Sequence, residues 1–250
     1  PADVSPQQLA ALEREEGIVY SAEQRRAILT ALREGLLVIT GGPGTGKTTL
    51  VRALVQLCRR WGRRVLLGCP TGRAARRLSE ATAAEAHTLH RLLEYSPQEG
   101  RFRRDESHPL GADLVVVDEV SMVDLPLMDA LLRALPPEAS LVLVGDADQL
   151  PSVGPGSVLA DLVACGRVPV VRLQEVFRQA RQSLIVLNAH RVNRGAFPQL
   201  RPTRGVRPDF WFLEAEDPGE VLRLVKRLCA RDLPAQGFDP RREIQVLSPM

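Results

Sequence analysis

The sequence predicts an α/β protein in which a parallel sheet carries helices on both faces. Three observations predict it. Apolar strand-like runs alternate with helical stretches, the rhythm of β-α-β units that join parallel strands. Each run is continuously apolar rather than alternating, which suits strands covered on both faces. The first run, Leu36 to Thr40, passes straight into Gly41-Gly42-Pro43-Gly44-Thr45-Gly46-Lys47-Thr48 and then an apolar helix. Such a strand, glycine-rich turn and helix make a phosphate-binding P-loop.

The elements follow in order. Ser21-Ala22-Glu23-Gln24 has capping-box spacing and opens a helix to about Arg33, stopped by Gly35. Beyond the glycine-rich turn, a helix over 48–60 leads to a strand at 65–69. Pro70-Thr71-Gly72 then starts a helix rich in alanine and arginine, and residues 87–93 read as a short helix. The stretch 94–110 breaks the pattern with Pro97, Gly100, Arg101-Phe102-Arg103-Arg104 and Pro109, and reads as a small hairpin-like insertion. A strand at 114–117, a helix at 126–135 and a strand at 141–144 complete a first domain, formed by 1–93 and 111–167. Pro151 to Pro155 make a stiff turn. A second, incomplete domain is expected over 168–250, with strands at 168–173, 210–213 and 244–247 and helices at 181–193 and 218–230.

A chain of 250 residues that is 44% hydrophobic can bury a core, which excludes a disordered protein. Its formal charge of +3 is too small to argue for a nucleic-acid partner by itself. Of the 33 basic residues only Lys47 and Lys226 are lysines, and one of them stands at the P-loop position. Cys58, Cys69, Cys165 and Cys229 form no C-x-x-C pair, so they read as reduced core residues rather than zinc ligands. The chain has no apolar run of 18 residues and no signal-peptide pattern, so no membrane partner and a cytoplasmic location are expected. It begins at Pro1 and ends shortly after a strand-like run, and reads as part of a longer polypeptide.

The loop implies specific chemistry. Backbone N–H groups from Gly42, Pro43's neighbours, Gly44, Thr45, Gly46, Lys47, Thr48 and Thr49 would surround the phosphates of ATP, with the helix dipole aimed at the same charge. Lys47 would reach the β- and γ-phosphates, and Thr48 would ligate Mg²⁺. Asp118 and Glu119 follow the apolar run 114–117, where open α/β sheets keep their ligand sites. Asp118 would hold Mg²⁺ and Glu119 would orient or deprotonate the attacking water, a pairing that favours hydrolysis.

Gly145-Asp146-Ala147-Asp148-Gln149-Leu150-Pro151 brings out a resemblance to the superfamily 1 helicases, and among them to the RecD-like DNA helicases. The resemblance implies RecA-like P-loop domains, with Gln149 sensing the γ-phosphate. Tyr20 to Ala27 resembles the family's Q motif, where Gln24 would recognise adenine; the capping box is its rival and is compatible with it. Arg172-Leu173-Gln174-Glu175-Val176-Phe177-Arg178-Gln179 resembles motif IV, in which Arg178 would reach the γ-phosphate. Pro70, Thr71, Gly72 and Arg73 resemble motif Ia, where a helix start meets a phosphate of single-stranded DNA. Ala86-His87-Thr88-Leu89-His90 resembles a further DNA-contacting segment, with His87 and Thr88 as candidates beside the alternative of satisfied structural residues. The 94–110 insertion sits where the family carries a small pin domain, and Phe102 would stack on a base.

The resemblance implies a 5′-to-3′ motor on single-stranded DNA, with tailed duplex as its unwinding substrate. It would act as a monomer, alone or in a recombination or repair complex. Two rivals stay open: an RNA helicase of the same superfamily, and a non-hydrolysing subunit that binds ATP and DNA.

Overall fold

A computed structural model of the chain describes residues 6–201 and 205–248, apart from the side chains of Pro6, Arg178 and Gln179. Its elements run α1 (Pro6–Glu16), α2 (Ala22–Arg33), β1 (Leu36–Gly41), α3 (Lys47–Arg60), β2 (Val65–Cys69), α4 (Gly72–Thr82) and β3 (Ala86–Thr88). There follow α5 (Leu89–Leu92), the paired β4 (Tyr95–Ser96) and β5 (Arg101–Phe102), β6 (Leu114–Val117), α6 (Leu125–Ala134), β7 (Ser140–Gly145), α7 (Val158–Ala164) and β8 (Val170–Leu173). The helices α8 (Arg178–Arg181), α9 (Leu184–Asn193) and α10 (Pro218–Arg227) complete the order.

Six strands form one parallel sheet in the order β3-β2-β6-β7-β1-β8. The continuous apolar runs have a direct cause. Leu37, Ile39, Leu114, Val116, Val142 and Val144 enter the core beneath α2, α3 and α4. Their neighbours Val38, Val115, Val117, Leu141 and Leu143 enter a second core beneath α5, α6 and α7. Successive side chains leave a strand on opposite faces, so a sheet covered on both sides needs every position apolar.

Helix starts are locally encoded. Ser21 accepts from the Gln24 N–H at 3.2 Å while Gln24 Oε1 accepts from the Ser21 N–H at 3.1 Å, which closes the expected capping box. Thr71, Thr88 and Asp124 cap α4, α5 and α6 through their side-chain oxygens.

The structure moves the expected domain boundary. The strand expected to open a second domain lies in the first sheet, with Val38↔Val170 and Thr40↔Arg172 in register. Buried Val171 and Leu173 join the first core, so burial carries the chain across residue 168. The chain divides into compact units Pro1–Arg207 and Pro208–Met250. In the second unit neither 210–213 nor 244–247 is a strand. Among its described residues no strand offers either run a ladder partner, and an unpaired strand leaves its backbone groups unsatisfied. Its helix α10 is amphipathic yet buries none of its residues, and Trp211, Phe212 and Leu247 are exposed. Three helices escaped the sequence reading, α1, α7 and α8, and residues 86–88 form an edge strand ahead of the short helix.

Candidate nucleotide and nucleic-acid site

The predicted residues gather at the carboxyl ends of the strands. Gly41 ends β1, Asp118 follows β6, Gly145 ends β7, and Pro70-Thr71 follow β2. A parallel sheet aligns all its strands, so four separate segments present their last residues on one edge.

The P-loop needs its glycines where the backbone turns left-handed and where neighbours press close. Gly44 has φ +77° and Gly46 φ +79°, a region open to glycine at little cost. A side chain at Gly44 would collide with Ala180, and one at Gly46 would lie 2.5 Å from Phe177 and Gln24. Inside the loop Thr45 Oγ1 donates to the Gly42 carbonyl at 2.9 Å. Lys47 Nζ donates to the carbonyls of Gly41 at 2.5 Å and Gly42 at 3.1 Å, which places its charge at the Gly41 end. Thr48 and Thr49 lie in the first turn of α3.

Two cavities flank this loop. Thr48, Thr71, Arg73, Asp118, Glu119 and Gln149 line one of about 410 Å³. The expected metal ligands, water-orienting carboxylate, sensor and nucleic-acid helix start therefore converge. Burial pushes the Asp118 carboxyl up to about 6; the nearby Glu119 charge adds to this, while the Glu119 N–H bond to Oδ1 and the Lys47 charge oppose it. A half-buried carboxylate that shares a cavity wall with a threonine is a donor set that a divalent cation completing its shell with phosphate and water oxygens would fit. Among the described residues no cluster of three or more His, Cys, Asp and Glu side chains could hold a metal. Glu119 sits at φ +58°, a conformation that costs a non-glycine residue about 1–2 kcal/mol. Gln149 is oriented by Asp146, which is buried and accepts from the Gln149 Nε2 at 3.4 Å.

The other cavity, of about 620 Å³, is lined by Tyr20, Gln24, Gly44, Gly46, Thr49 and Phe177 among others. Gln24 is buried, with Oε1 in the capping box and Nε2 donating to the Gly46 carbonyl at 3.3 Å, so it ties α2 to the P-loop at the wall of this cavity. Phe177 and its N–H bond to the Gly44 carbonyl at 3.1 Å were not anticipated. Nor was His190, whose Nε2–H donates to the Pro43 carbonyl at 3.0 Å across 147 residues of chain. A lone histidine in mid-helix carries no local signal; only the packing of α9 against the loop identifies it.

The remaining candidates differ in placement. Thr71 Oγ1 accepts from the Ala74 N–H at 3.3 Å, and Gly72 has open space around it, so the start of α4 is accessible. Pro70 joins β2 to that start. Thr88 is engaged as a cap by the Arg91 N–H at 3.2 Å, and His87 stands on β3, 3.4 Å from Glu85. Neither lines the cavity that holds Thr71 and Glu119.

Phe102 is not at a tip. It packs at 5.0 Å from Tyr95 and 5.7 Å from His90, at the base of the hairpin, because a half-buried aromatic gains more from ring neighbours than from water. Nor is the basic patch free. Arg101 and Arg103 pair with Glu99 at 2.9 and 2.8 Å, Arg104 pairs with Glu94 at 2.7 Å, and the two arginines hold the Glu99 carboxyl below its usual range. Arg178 opens α8 beside Phe177, and its side chain lies outside the described residues.

Of the cysteines, Cys58 and Cys69 are core residues, their thiols pushed up by burial to about 11 and about 12. Cys165 is exposed and Cys229 half-buried, which departs from the core reading. Among the described residues no helix is long and apolar enough to cross a membrane.

A glycine loop with its lysine, facing a hydroxyl and two carboxylates at the carboxyl edge of a parallel sheet, defines a P-loop nucleotide-binding domain. Residues 24–155 match the family described as AAA domain, and the chain belongs to that family. Over 230 residues, 92% of the chain, it is 41% identical to the ATP-dependent RecD2 DNA helicase of Deinococcus radiodurans, of which it covers 30%. Over 164 residues, 56% of the chain, it is 48% identical to the RecBCD enzyme subunit RecD of Mycobacterium tuberculosis, of which it covers 28%. The chain thus spans less than a third of the length of these relatives. A crystal structure of Pif1 helicase from Candida albicans shares the fold, with a TM-score of 0.56 and 23% identity over 85% of this chain and 55% of that one. These similarities place the chain in the RecD-like branch of superfamily 1.

Proposed function

We propose that this chain is the motor core of an ATP-dependent DNA helicase, coupling Mg-ATP hydrolysis to 5′-to-3′ movement along single-stranded DNA. The observation that carries the reading is the single cavity shared by Thr48, Asp118, Glu119, Gln149 and the start of α4 at Thr71 and Arg73. A nucleotide-hydrolysis constellation that opens onto a phosphate-binding helix start is an arrangement in which one event can act on the other.

In this reading the P-loop amides and Lys47 hold the phosphates, and the cavity walled by Tyr20, Gln24 and Phe177 takes the adenine. Thr48 and Asp118 would hold Mg²⁺, which neutralises charge on the phosphate oxygens. Glu119, fixed in its left-handed conformation, orients and deprotonates the attacking water. Gln149 reports the terminal phosphate to the loop that follows β7, and Arg178 supplies positive charge as the site closes. Thr71, Gly72 and Arg73 receive a DNA phosphate at the start of α4. Thr88 already caps α5, Phe102 already packs on Tyr95 and His90, and His87 already stands 3.4 Å from Glu85, so contact with DNA at these three would compete with structural partners.

The Pro208–Met250 unit is read as the beginning of a second RecA-like domain. Its amphipathic α10 and exposed aromatics suit an element whose covering strands come from elsewhere in a longer chain. RecD of Mycobacterium tuberculosis is a subunit of RecBCD enzyme; in the present reading the motor works in the cytoplasm on tailed duplex, as a monomer or within a recombination or repair complex.

The test is ATP turnover by the longest natural polypeptide containing this sequence, at low salt, with and without single-stranded oligonucleotides. Strong stimulation by DNA that is lost in Lys47→Ala is expected. Equal stimulation by RNA of the same sequence would transfer the reading to an RNA motor. Tight ATP binding without turnover would refute it in favour of a binding subunit.

A further inference from the structure

A third cavity, of about 280 Å³, adjoins the P-loop and is used by none of the roles above. Thr40, Gly41, Gly42, Arg172, His190 and Arg194 contribute to its wall. Three features give it a chemical character.

The first is position. Gly41 and Gly42 are the residues whose carbonyls hold Lys47 Nζ, so the cavity borders the end of the loop where Lys47 meets the terminal phosphates. The second is register. Arg172 stands opposite Thr40 in the β1–β8 ladder, which sets its guanidinium beside the last residues of β1 rather than in solution at random. The third is charge. Arg172 and Arg194 both line the cavity, and among the described residues neither guanidinium has an ion-pair or hydrogen-bond partner. Elsewhere in the unit Arg25, Arg52 and Arg60 are paired with Glu13, Glu16 and Glu15. One carboxylate, Asp148, shares the lining, so the two guanidinium groups leave it net positive.

His190 gives the cavity a rigid wall. Its ring is fixed by the bond to the Pro43 carbonyl and lies where a side chain at Gly42 would come within 2.6 Å of it. The neighbouring Arg194 follows α9 directly, so the same helix that braces the P-loop carries the second guanidinium.

The geometry points to an anion site at Arg172 and Arg194 that takes a phosphate group beside Gly41 and Gly42, in addition to the P-loop itself. The phosphate is either the terminal group of the bound nucleotide or inorganic phosphate after its cleavage. The role assigned to it rests on the nucleotide-hydrolysis reading above; the presence of the site does not. Two guanidinium groups present forked donors that match phosphate oxygens. Occupation by cleaved phosphate would hold product beside the loop and slow its release.

Isothermal titration of inorganic phosphate into the wild type and Arg172→Gln/Arg194→Gln, each with and without ADP, tests the site. A second arm compares the affinities of a non-hydrolysable ATP analogue and ADP. Both arginines are exposed and glutamine retains part of their stems, so unchanged thermal unfolding is expected to accompany the variant. A charge-assisted hydrogen bond contributes about 1.5–3 kcal/mol, so the variant should lose about tenfold or more in one of two quantities. Loss of phosphate affinity assigns the site to cleaved phosphate. Loss of the preference for triphosphate over diphosphate assigns it to the attached terminal group. If both are unchanged, the anion site is overturned. ADP that binds the wild type no better than Lys47→Ala would defeat the P-loop reading separately, while phosphate binding to the nucleotide-free protein still decides the anion site.

Discussion

Asp118→Asn is expected to stabilise the metal-free protein while removing its turnover. Burial raises the Asp118 carboxyl from 3.8 to about 6, and at about 1.4 kcal/mol per pH unit the ionised group costs the metal-free fold about 3 kcal/mol at pH 8. Because the folded value lies above the unfolded one, the cost is absent below about pH 3.8, grows as pH rises, and is complete above about 6. Asparagine removes the charge and can still accept from the Glu119 N–H, which Asp118 Oδ1 holds at 2.9 Å. For a unit of this size the gain at pH 8 corresponds to a Tm increase of about 5–10 °C, falling to about half at pH 5. Thermal unfolding in a chelator at the two pH values measures it. Equal Tm values at pH 8, or a gain independent of pH, would refute the claim that Asp118 is a strained, cation-seeking carboxylate.

Other expectations follow from single contacts. Lys47→Ala should abolish ATP turnover and leave single-stranded DNA binding within about threefold, since the charge it removes serves phosphate at the P-loop; nucleotide-binding and DNA-binding titrations check the two halves. Glu119→Gly should be about 1 kcal/mol more stable than Glu119→Ala by chemical unfolding, because glycine relieves the left-handed backbone at φ +58° while both lack the carboxylate for turnover. Gly44→Ala should cost at least about 1–3 kcal/mol, since it strains φ +77° and drives a methyl into Ala180, and nucleotide binding should fail with it. Phe102→Ala should lower stability by about 1–3 kcal/mol through loss of its packing on Tyr95 and His90; an unchanged Tm with weakened DNA binding would return Phe102 to a stacking role.

Much of this protein is written locally in its sequence. The P-loop, the capping box at Ser21 and Gln24, the helix start at Thr71 and the strands 65–69 and 114–117 depend on turn chemistry, side-chain oxygens and apolar runs a few residues long. The convergence of Thr48, Asp118, Glu119 and Gln149 was legible for the same reason, as each follows the end of a recognisable strand and parallel strands end together. What only the tertiary structure decided lies between segments far apart in the chain. The 168–173 run reads equally well as the first strand of a new domain; pairing with β1 and burial of Val171 and Leu173 make it the last strand of the first sheet. Phe102 and the arginines beside it read as a basic stacking tip until the fold gives them Tyr95, His90, Glu99 and Glu94. His190 reaches Pro43 across 147 residues. Local sequence specifies hydrogen bonds and periodicity within a segment, whereas the partner of an exposed-looking side chain is set by which distant surface must cover the same core.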